Sequence, residues 1–319
     1  MRLIFYGTRG SVSVNREGFN RYGGNTTCVQ LDSDCIPSGQ RLFIDAGTGS
    51  LPAGFEAVKA GIREVTILFT HYHHDHTQGL LLTPPTFMDQ VRINCFGPEE
   101  YGVGPKQMLE TIMTPPYHPV AYGRVGHHFR CKGIPIPEVK AMIVHPQGGF
   151  KLLEVAELYN LEQTAPAQVR FRQGESFPIS ECLVIRMWKT NHPERAISYR
   201  FEERPTDKVF VFMTDHENMD GTSQDLKNHL QGTDFLAMDS QYKRETYDTR
   251  TAQWGHGTPD YCVRVAFETG VRKLGLTHHD PFSSDAMIDE ILQEARDAAK
   301  HCGFTGSIIA LHDYEVVEV

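Results

Sequence analysis

Long apolar runs are missing from this sequence: nowhere in its 319 residues does one approach the roughly 18 residues that a membrane-spanning helix needs. A signal peptide is not expected either. The opening Met1-Arg2-Leu3-Ile4-Phe5-Tyr6-Gly7 turns into glycine and charge before an apolar core can form, so a cytoplasmic protein with no membrane partner is expected. Cysteine lacks a pattern. The seven residues Cys28, Cys35, Cys95, Cys131, Cys182, Cys262 and Cys302 are odd in number, scattered and without a C-x-x-C pair. That argues against a disulfide framework, a zinc ribbon or a thioredoxin-type site, and leaves buried or incidental thiols. Basic runs are lacking as well. With a formal net charge of -9 and no cluster of lysine or arginine, the chain does not offer the basic face that long nucleic acid requires, although a local basic pocket for one small anion remains compatible with it.

What is present is the composition of an ordinary globular protein, 40% hydrophobic and 22% charged. Short β-branched and aromatic runs bounded by glycine predict strands at Leu3–Phe5, Cys28–Leu31, Arg41–Ile44 and Val65–Phe69, with a helix over Leu51–Lys59. Further strands are predicted at Leu183–Trp188, Ile197–Phe201, Val209–Met213, Phe235–Met238, Lys273–Leu276 and Ser307–Leu311. Two late helices carry clear punctuation: Thr258-Pro259 before Asp260–Thr269 with Gly270 at its end, and Ser284 before Asp285–His301 with Gly303 at its end. The stretch from about 96 to 149, rich in Pro, Gly and His, reads as an insertion or flap within a single domain spanning 1–319. Strands before and after helices predict an α/β (α+β) fold of two sheets covered by helices.

The chemistry concentrates in His71-Tyr72-His73-His74-Asp75-His76, directly after the predicted strand Val65–Phe69. A tight loop there could turn His71 and His73 toward one metal and Asp75 and His76 toward another. Imidazole nitrogen with carboxylate oxygen suits zinc, and also Mn or Fe. A histidine-rich surface loop is the alternative.

The pattern His71-x-His73-x-Asp75-His76 resembles the signature of the metallo-β-lactamase superfamily. That resemblance implies a four-layer αββα sandwich and two divalent metal ions. It also implies a third histidine, a bridging aspartate and a final histidine in that order, for which His192, Asp215 and His278, each just after a predicted strand, are the counterparts. His216 and His279 are their adjacent competitors. Asp45, in Phe43-Ile44-Asp45-Ala46-Gly47, resembles the family's aspartate beneath the metal loop, with a turn or cap role as its alternative.

Two metals of this kind can share a water and lower its pKa, which supports hydrolysis of phosphodiesters, thioesters, lactams or lactones without choosing among them. Trp254-Gly255-His256-Gly257-Thr258, together with Gly7-Thr8-Arg9-Gly10-Ser11 and Gly23-Gly24-Asn25-Thr26, resembles the ribonuclease Z and cyclic-phosphate phosphodiesterase branch. The resemblance assigns Asp75 and His256 as catalytic, His256 binding phosphate or protonating the departing oxygen; alternatively, His256 packs against the Thr258 helix. A phosphodiesterase acting on a small or cyclic phosphate ester is expected, and a homodimer is compatible with the resemblance. The alternatives are a tRNA 3′-end endonuclease of ribonuclease Z type, a thioesterase of glyoxalase II type, or a non-catalytic metal-binding regulator. Arg9, Arg21, Tyr117 and His118 are candidates for contact with the substrate. Asp239 and Tyr242 either support the ligands or face the substrate.

Overall fold

In the computed structural model, which describes residues 1–135, 140–171 and 174–319, the strands form two large sheets whose apolar faces meet. The first is seven-stranded, in the spatial order Glu315–Glu318, Arg2–Gly7, Cys28–Asp32, Gln40–Ile44, Glu64–Leu68, Arg92–Glu99 and Phe129–Pro135. The second is eight-stranded, in the order Ser307–Ala310, Lys273–Thr277, Phe235–Asp239, Lys208–Met213, Ile197–Glu203, Leu183–Lys189, Lys140–His145 and Gly149–Glu154. Each sheet is parallel in one half and antiparallel in the other. The parallel halves run from Gln40–Ile44 to Phe129–Pro135 in the first sheet and from Lys208–Met213 to Ser307–Ala310 in the second.

The second sheet illustrates why these sequences become central strands. Phe210, Phe212, Phe235 and Ala237 point into the layer between the sheets, against Phe5, Leu31 and Leu42. Their neighbours Val211, Met213, Leu236 and Met238 point the other way, against the helices Pro259–Thr269 and Asp285–Cys302. A strand covered on both faces must be apolar at every position, hence Val209-Phe210-Val211-Phe212-Met213. The inward phenylalanines stack, Phe210 on Phe235 at 5.5 Å and Phe201 on Phe210 at 5.6 Å, and each contributes about 2–3 kcal/mol by leaving water. On the outer face of the first sheet, Ala53 and Ala57 of the helix Ser50–Lys59 and Met108 and Leu109 of Pro105–Ile112 cover Val65, Ile67 and Ile93. The result is the expected helix–sheet–sheet–helix sandwich.

Helix punctuation follows the sequence with one difference. Ser284 accepts a hydrogen bond from the Met287 N–H, and Gly270 and Gly303 end their helices in the left-handed region at φ 70° and 80°. Thr258 stands where a cap is expected but does not cap; its hydroxyl is 3.3 Å from Asn218 Oδ1 and ties two loops together instead. The 96–149 segment is more deeply woven in than an inserted flap. Arg92–Glu99 and Phe129–Pro135 extend the first sheet, and Lys140–His145 belongs to the second. The stretch between Glu99 and Phe129 connects two neighbouring strands of the first sheet and packs its helix Pro105–Ile112 on that sheet's outer face, and residues 136–139 lie outside the described residues. All seven cysteines are free thiols, five of them buried.

The N-terminal glycine loops are fixed from beneath by the Asp313 carboxylate, which accepts from the backbone N–H groups of Thr8 (3.2 Å), Gly24 (3.0 Å) and Asn25 (2.9 Å). Arg9, expected as a contact to substrate, is instead a buried strut. Its Nε donates to Gly23 O at 2.9 Å, and its Nη1 to Asp280 O at 2.9 Å and Ser283 O at 2.7 Å. With no exposed surface, the guanidinium serves carbonyls of two loops rather than a phosphate. Replacing it leaves three carbonyls without their donor. Arg9→Ala is therefore expected to lower unfolding free energy by about 3 kcal/mol, read from the midpoint of urea denaturation; an unchanged midpoint would contradict the strut.

Candidate metal centre

The centre lies where the parallel halves of both sheets end. Asp45 follows the strand Gln40–Ile44, the loop 70–76 follows Glu64–Leu68, Asp215 follows Lys208–Met213, Asp239 ends Phe235–Asp239, and His278 follows Lys273–Thr277. Side chains from separate strands converge at carboxyl ends because each chain must turn there to leave the sheet. Three of these turns are strained: Asp45, Asp215 and His278 have φ of 58°, 50° and 62°. A side chain there costs about 1–2 kcal/mol relative to the right-handed conformation, a cost that recurs where a functional group must be aimed.

Among the described residues two main groups of donors result here, and a third, Asp215, His256 and His278, overlaps both. His71, His73, His192 and Asp215 form one, and Asp75, His76 and His278 the other; within each group all donor atoms lie within 4.8 Å of one another. Asp215 faces both. Its Oδ2 is 3.6 Å from His71 Nε2, and its Oδ1 is 3.3 Å from His76 Nε2 and 3.4 Å from His278 Nε2. Asp75 Oδ2 is 3.2 Å from His76 Nε2 and 3.1 Å from His278 Nε2. These separations match the edge of a tetrahedron whose centre is about 2.1 Å from each donor, roughly 3.4 Å.

The remaining ring nitrogens fix the orientation. His76 Nδ1 faces Asp45 Oδ2 at 2.8 Å, His192 Nδ1 faces Gly255 O at 3.1 Å, and His278 Nδ1 faces Gln241 Oε1 at 3.2 Å. Donating there leaves each Nε2 as a lone-pair donor toward the centre. Among the described residues, His71 Nε2, His192 Nε2 and Asp215 Oδ2 are buried without a hydrogen-bond partner. Buried polar atoms are seldom orphaned, and three orphans aimed at one point fit a cation. Asp45 itself accepts from Thr70 N at 2.7 Å and Thr70 Oγ1 at 2.8 Å, so a single buried carboxylate shapes the start of the loop and orients His76.

Charge divides the two groups. Burial drives the His71 and His192 imidazoles below their usual range, keeping them neutral. Burial opposes charge at His278 too, but Asp215, Asp75 and Asp239 outweigh it and push the imidazole up to about 9. His76 is likewise raised, against burial, by Asp75, Asp215 and Asp45. The second group thus holds protons that a cation must displace.

His256 is adjacent. Its Nδ1 is 2.9 Å from Asp239 Oδ2 and 3.9 Å from Asp215 Oδ2. Asp239 therefore supports His256, and the same strand-then-aspartate pattern that marks Asp45 and Asp215 was its signal in the sequence. Two carboxylates escaped sequence reasoning. Glu194 Oε2 stands at the open side, 3.1 Å from His73 Nε2 and 3.6 Å from His192 Nε2. Glu217 accepts from the Gln253 N–H at 3.2 Å and also from Gly255 N–H and the Tyr247 hydroxyl, holding the loop that carries His256. Gly255 needs its lack of a side chain: φ is 92°, and a Cβ would lie 2.2 Å from His192 Nδ1.

The rival histidines are committed elsewhere, His216 Nε2 to the Tyr261 hydroxyl at 2.8 Å and His279 Nε2 to Leu311 O at 2.8 Å. Three expected substrate contacts are not brought into the cluster. Arg21 pairs with Asp289 on the surface and donates to Asp285 O, because the start of the long helix Asp285–Cys302 lies beside it. His118 is buried, its nitrogens facing Val120 O at 2.7 Å and Leu81 O at 3.1 Å, which pins its own loop. Tyr117 is 90% exposed, its ring standing in solvent rather than over the centre.

This chain belongs to the beta-lactamase superfamily: residues 40–279 match the model of the Beta-lactamase superfamily domain. It is 26% identical over 348 aligned positions to Ribonuclease Z from Archaeoglobus fulgidus, covering 100% of this chain and 97% of that protein. Among solved structures it is similar to the metallo-beta-lactamase fold protein YhfI from Bacillus subtilis, with a TM-score of 0.61, 17% identity and coverage of 100% and 99%. It also resembles a diphosphatase from the PhnP family, with a TM-score of 0.57, 15% identity and coverage of 100% and 97%.

Removing the shared carboxylate tests the arrangement. Asp215→Ala is expected to abolish uptake of two cations per chain, and Asp45→Ala to weaken affinity by about 10- to 100-fold, both measured by zinc titration calorimetry with elemental analysis. Since His278 is protonated below about 9, uptake by the wild-type chain should release protons and affinity should fall as pH drops. Heats independent of buffer ionisation enthalpy would contradict this.

Proposed function

We propose that this chain is a metal-dependent phosphodiesterase that cleaves a small or cyclic phosphate ester. The observation that carries the reading is the His256–Asp239 pair set beside the carboxylate shared by both donor groups. Two divalent cations, zinc by donor type with Mn or Fe as alternatives, would supply the charge that polarises a phosphoryl oxygen and makes water acidic enough to attack. His71, His73, His192 and Asp215 would hold the first and Asp75, His76, His278 and Asp215 the second.

The chain's own groups supply the rest. Asp239 accepts a hydrogen bond from the Nδ1–H of His256, which orients the ring and would stabilise its imidazolium form; in that form the Nε2–H can donate to a phosphate oxygen or pass its proton to the departing one, leaving the neutral ring. Asp75 has its Oδ2 already shared by the Ser11 N–H at 2.7 Å, His76 and His278, which supports a ligand's role over proton transfer. The relatives' names, a ribonuclease and a diphosphatase, support chemistry at phosphorus.

A second reading, a tRNA 3′-end endonuclease, is favoured by the full-length similarity to an archaeal Ribonuclease Z. A net charge of -9 without a lysine- or arginine-rich arm favours the small ester. With bis(p-nitrophenyl) phosphate and a panel of cyclic nucleotides, metal-loaded protein is expected to turn over, and His256→Ala to lose about 100- to 10,000-fold in kcat at unchanged metal content. Cleavage of acyl-glutathione without any phosphodiester turnover would sink the proposal; efficient cleavage of precursor tRNA at catalytic concentrations would replace it with the second reading.

A further inference from the structure

Beside His256 a cavity of about 730 Å³ opens, bounded by Ser11, Gln241, Tyr242, Trp254 and Phe282 among others. Its floor is continuous with the metal centre. Gln241 Nε2 donates to Ser11 Oγ at 3.2 Å, Gln241 Oε1 faces His278 Nδ1 at 3.2 Å, and the Ser11 N–H reaches Asp75 Oδ2. Its walls are aromatic. Tyr242 lies edge-on to Trp254 at 6.4 Å and to His256 at 5.9 Å, while Trp254 and Phe282 remain 59% and 75% exposed. Trp254 and Phe282 line the same cavity, and exposed apolar rings grouped at one cleft point to a binding surface where scattered ones do not. Arg250 at the rim has no carboxylate partner within ion-pair distance among the described residues, in a chain of net charge -9.

We infer that this cavity receives the alcohol arm of the phosphate ester and that the arm ends in a planar aromatic ring of nucleobase size, held against Trp254 and Phe282. The inference rests on the phosphodiesterase reading and names its substrate class. Position argues for the departing arm: the cavity begins at His256, the group able to protonate the oxygen that leaves. Chemistry argues for a flat ring. Indole and phenyl faces gain most from a flat partner, an unpaired guanidinium stacks on one as well, and the volume falls in the range of small-molecule sites.

The test compares adenosine 2′,3′-cyclic phosphate with the 2,3-cyclic phosphate of 1-O-methyl ribofuranoside, which keeps the ester and omits the base. The base-bearing substrate is expected to show kcat/KM about 10- to 100-fold higher, mostly through KM. That ratio should collapse toward one in Trp254→Ala and in Phe282→Ala, and survive in part in Trp254→Phe. A second readout needs no turnover. The chain has two tryptophans, and adenosine monophosphate should quench the fluorescence of Trp254 where ribose 5-phosphate does not, the quench vanishing in Trp254→Phe. Equal kcat/KM for the two substrates, or no quench, overturns the ring site. Quenching without hydrolysis of either ester supports the ring site and overturns the phosphodiesterase reading.

Discussion

The Asp215 carboxylate is the constraint on which the rest of the centre turns. One oxygen faces His71, and the other faces His76 and His278. A carboxylate buried without compensating charge would be neutralised by its surroundings; here burial is outweighed by His278, His76 and His71, and the group is held well below the usual carboxylate range. The cluster is self-consistent only as a set. Its acids are ionised because its imidazoles are near, and its second group of imidazoles is charged because its acids are near.

Aim is the second constraint, and backbone strain supplies it. Asp45, Asp215 and His278 all sit in the left-handed region at strand ends. Gly10 lies so close to His278 that a Cβ would be 2.4 Å from the ring. Precision of this kind needs a rigid support, which the doubly covered strands provide: their two-sided apolar packing leaves the strand ends little freedom.

Much of this was legible in the sequence. Strands such as Val209–Met213 announce themselves because burial on both faces demands an unbroken apolar run. The 71–76 loop is legible from its own residues directly after such a run, and the resemblance it carries points to Asp45, Asp215 and His278, each of which also follows a run where the chain must turn out of the sheet. Asp239 follows the same rule and could have been given its role by it. The arginines and the flap residues were not legible. Arg9 and Arg21 each lie in a glycine-rich loop, and only three-dimensional placement separates a guanidinium serving carbonyls from one on the surface. Glu194 and Glu217 lie outside any periodic pattern, so proximity alone reveals them. The weave of Lys140–His145 into the second sheet was hidden because its pairing partner, Leu183–Lys189, comes some forty residues later in the chain.

The order of donors along the chain has a bearing on how the centre can come into being. The run His71–His76 leaves the ribosome early, His192 and Asp215 follow well over a hundred residues later, and His278 comes last. A cation met during synthesis would find only a flexible histidine loop, with neither the shared carboxylate nor the strained turns that aim it. The complete donor set exists only once the two sheets have docked, so any cation the centre takes would be held by the folded chain and not by the nascent one.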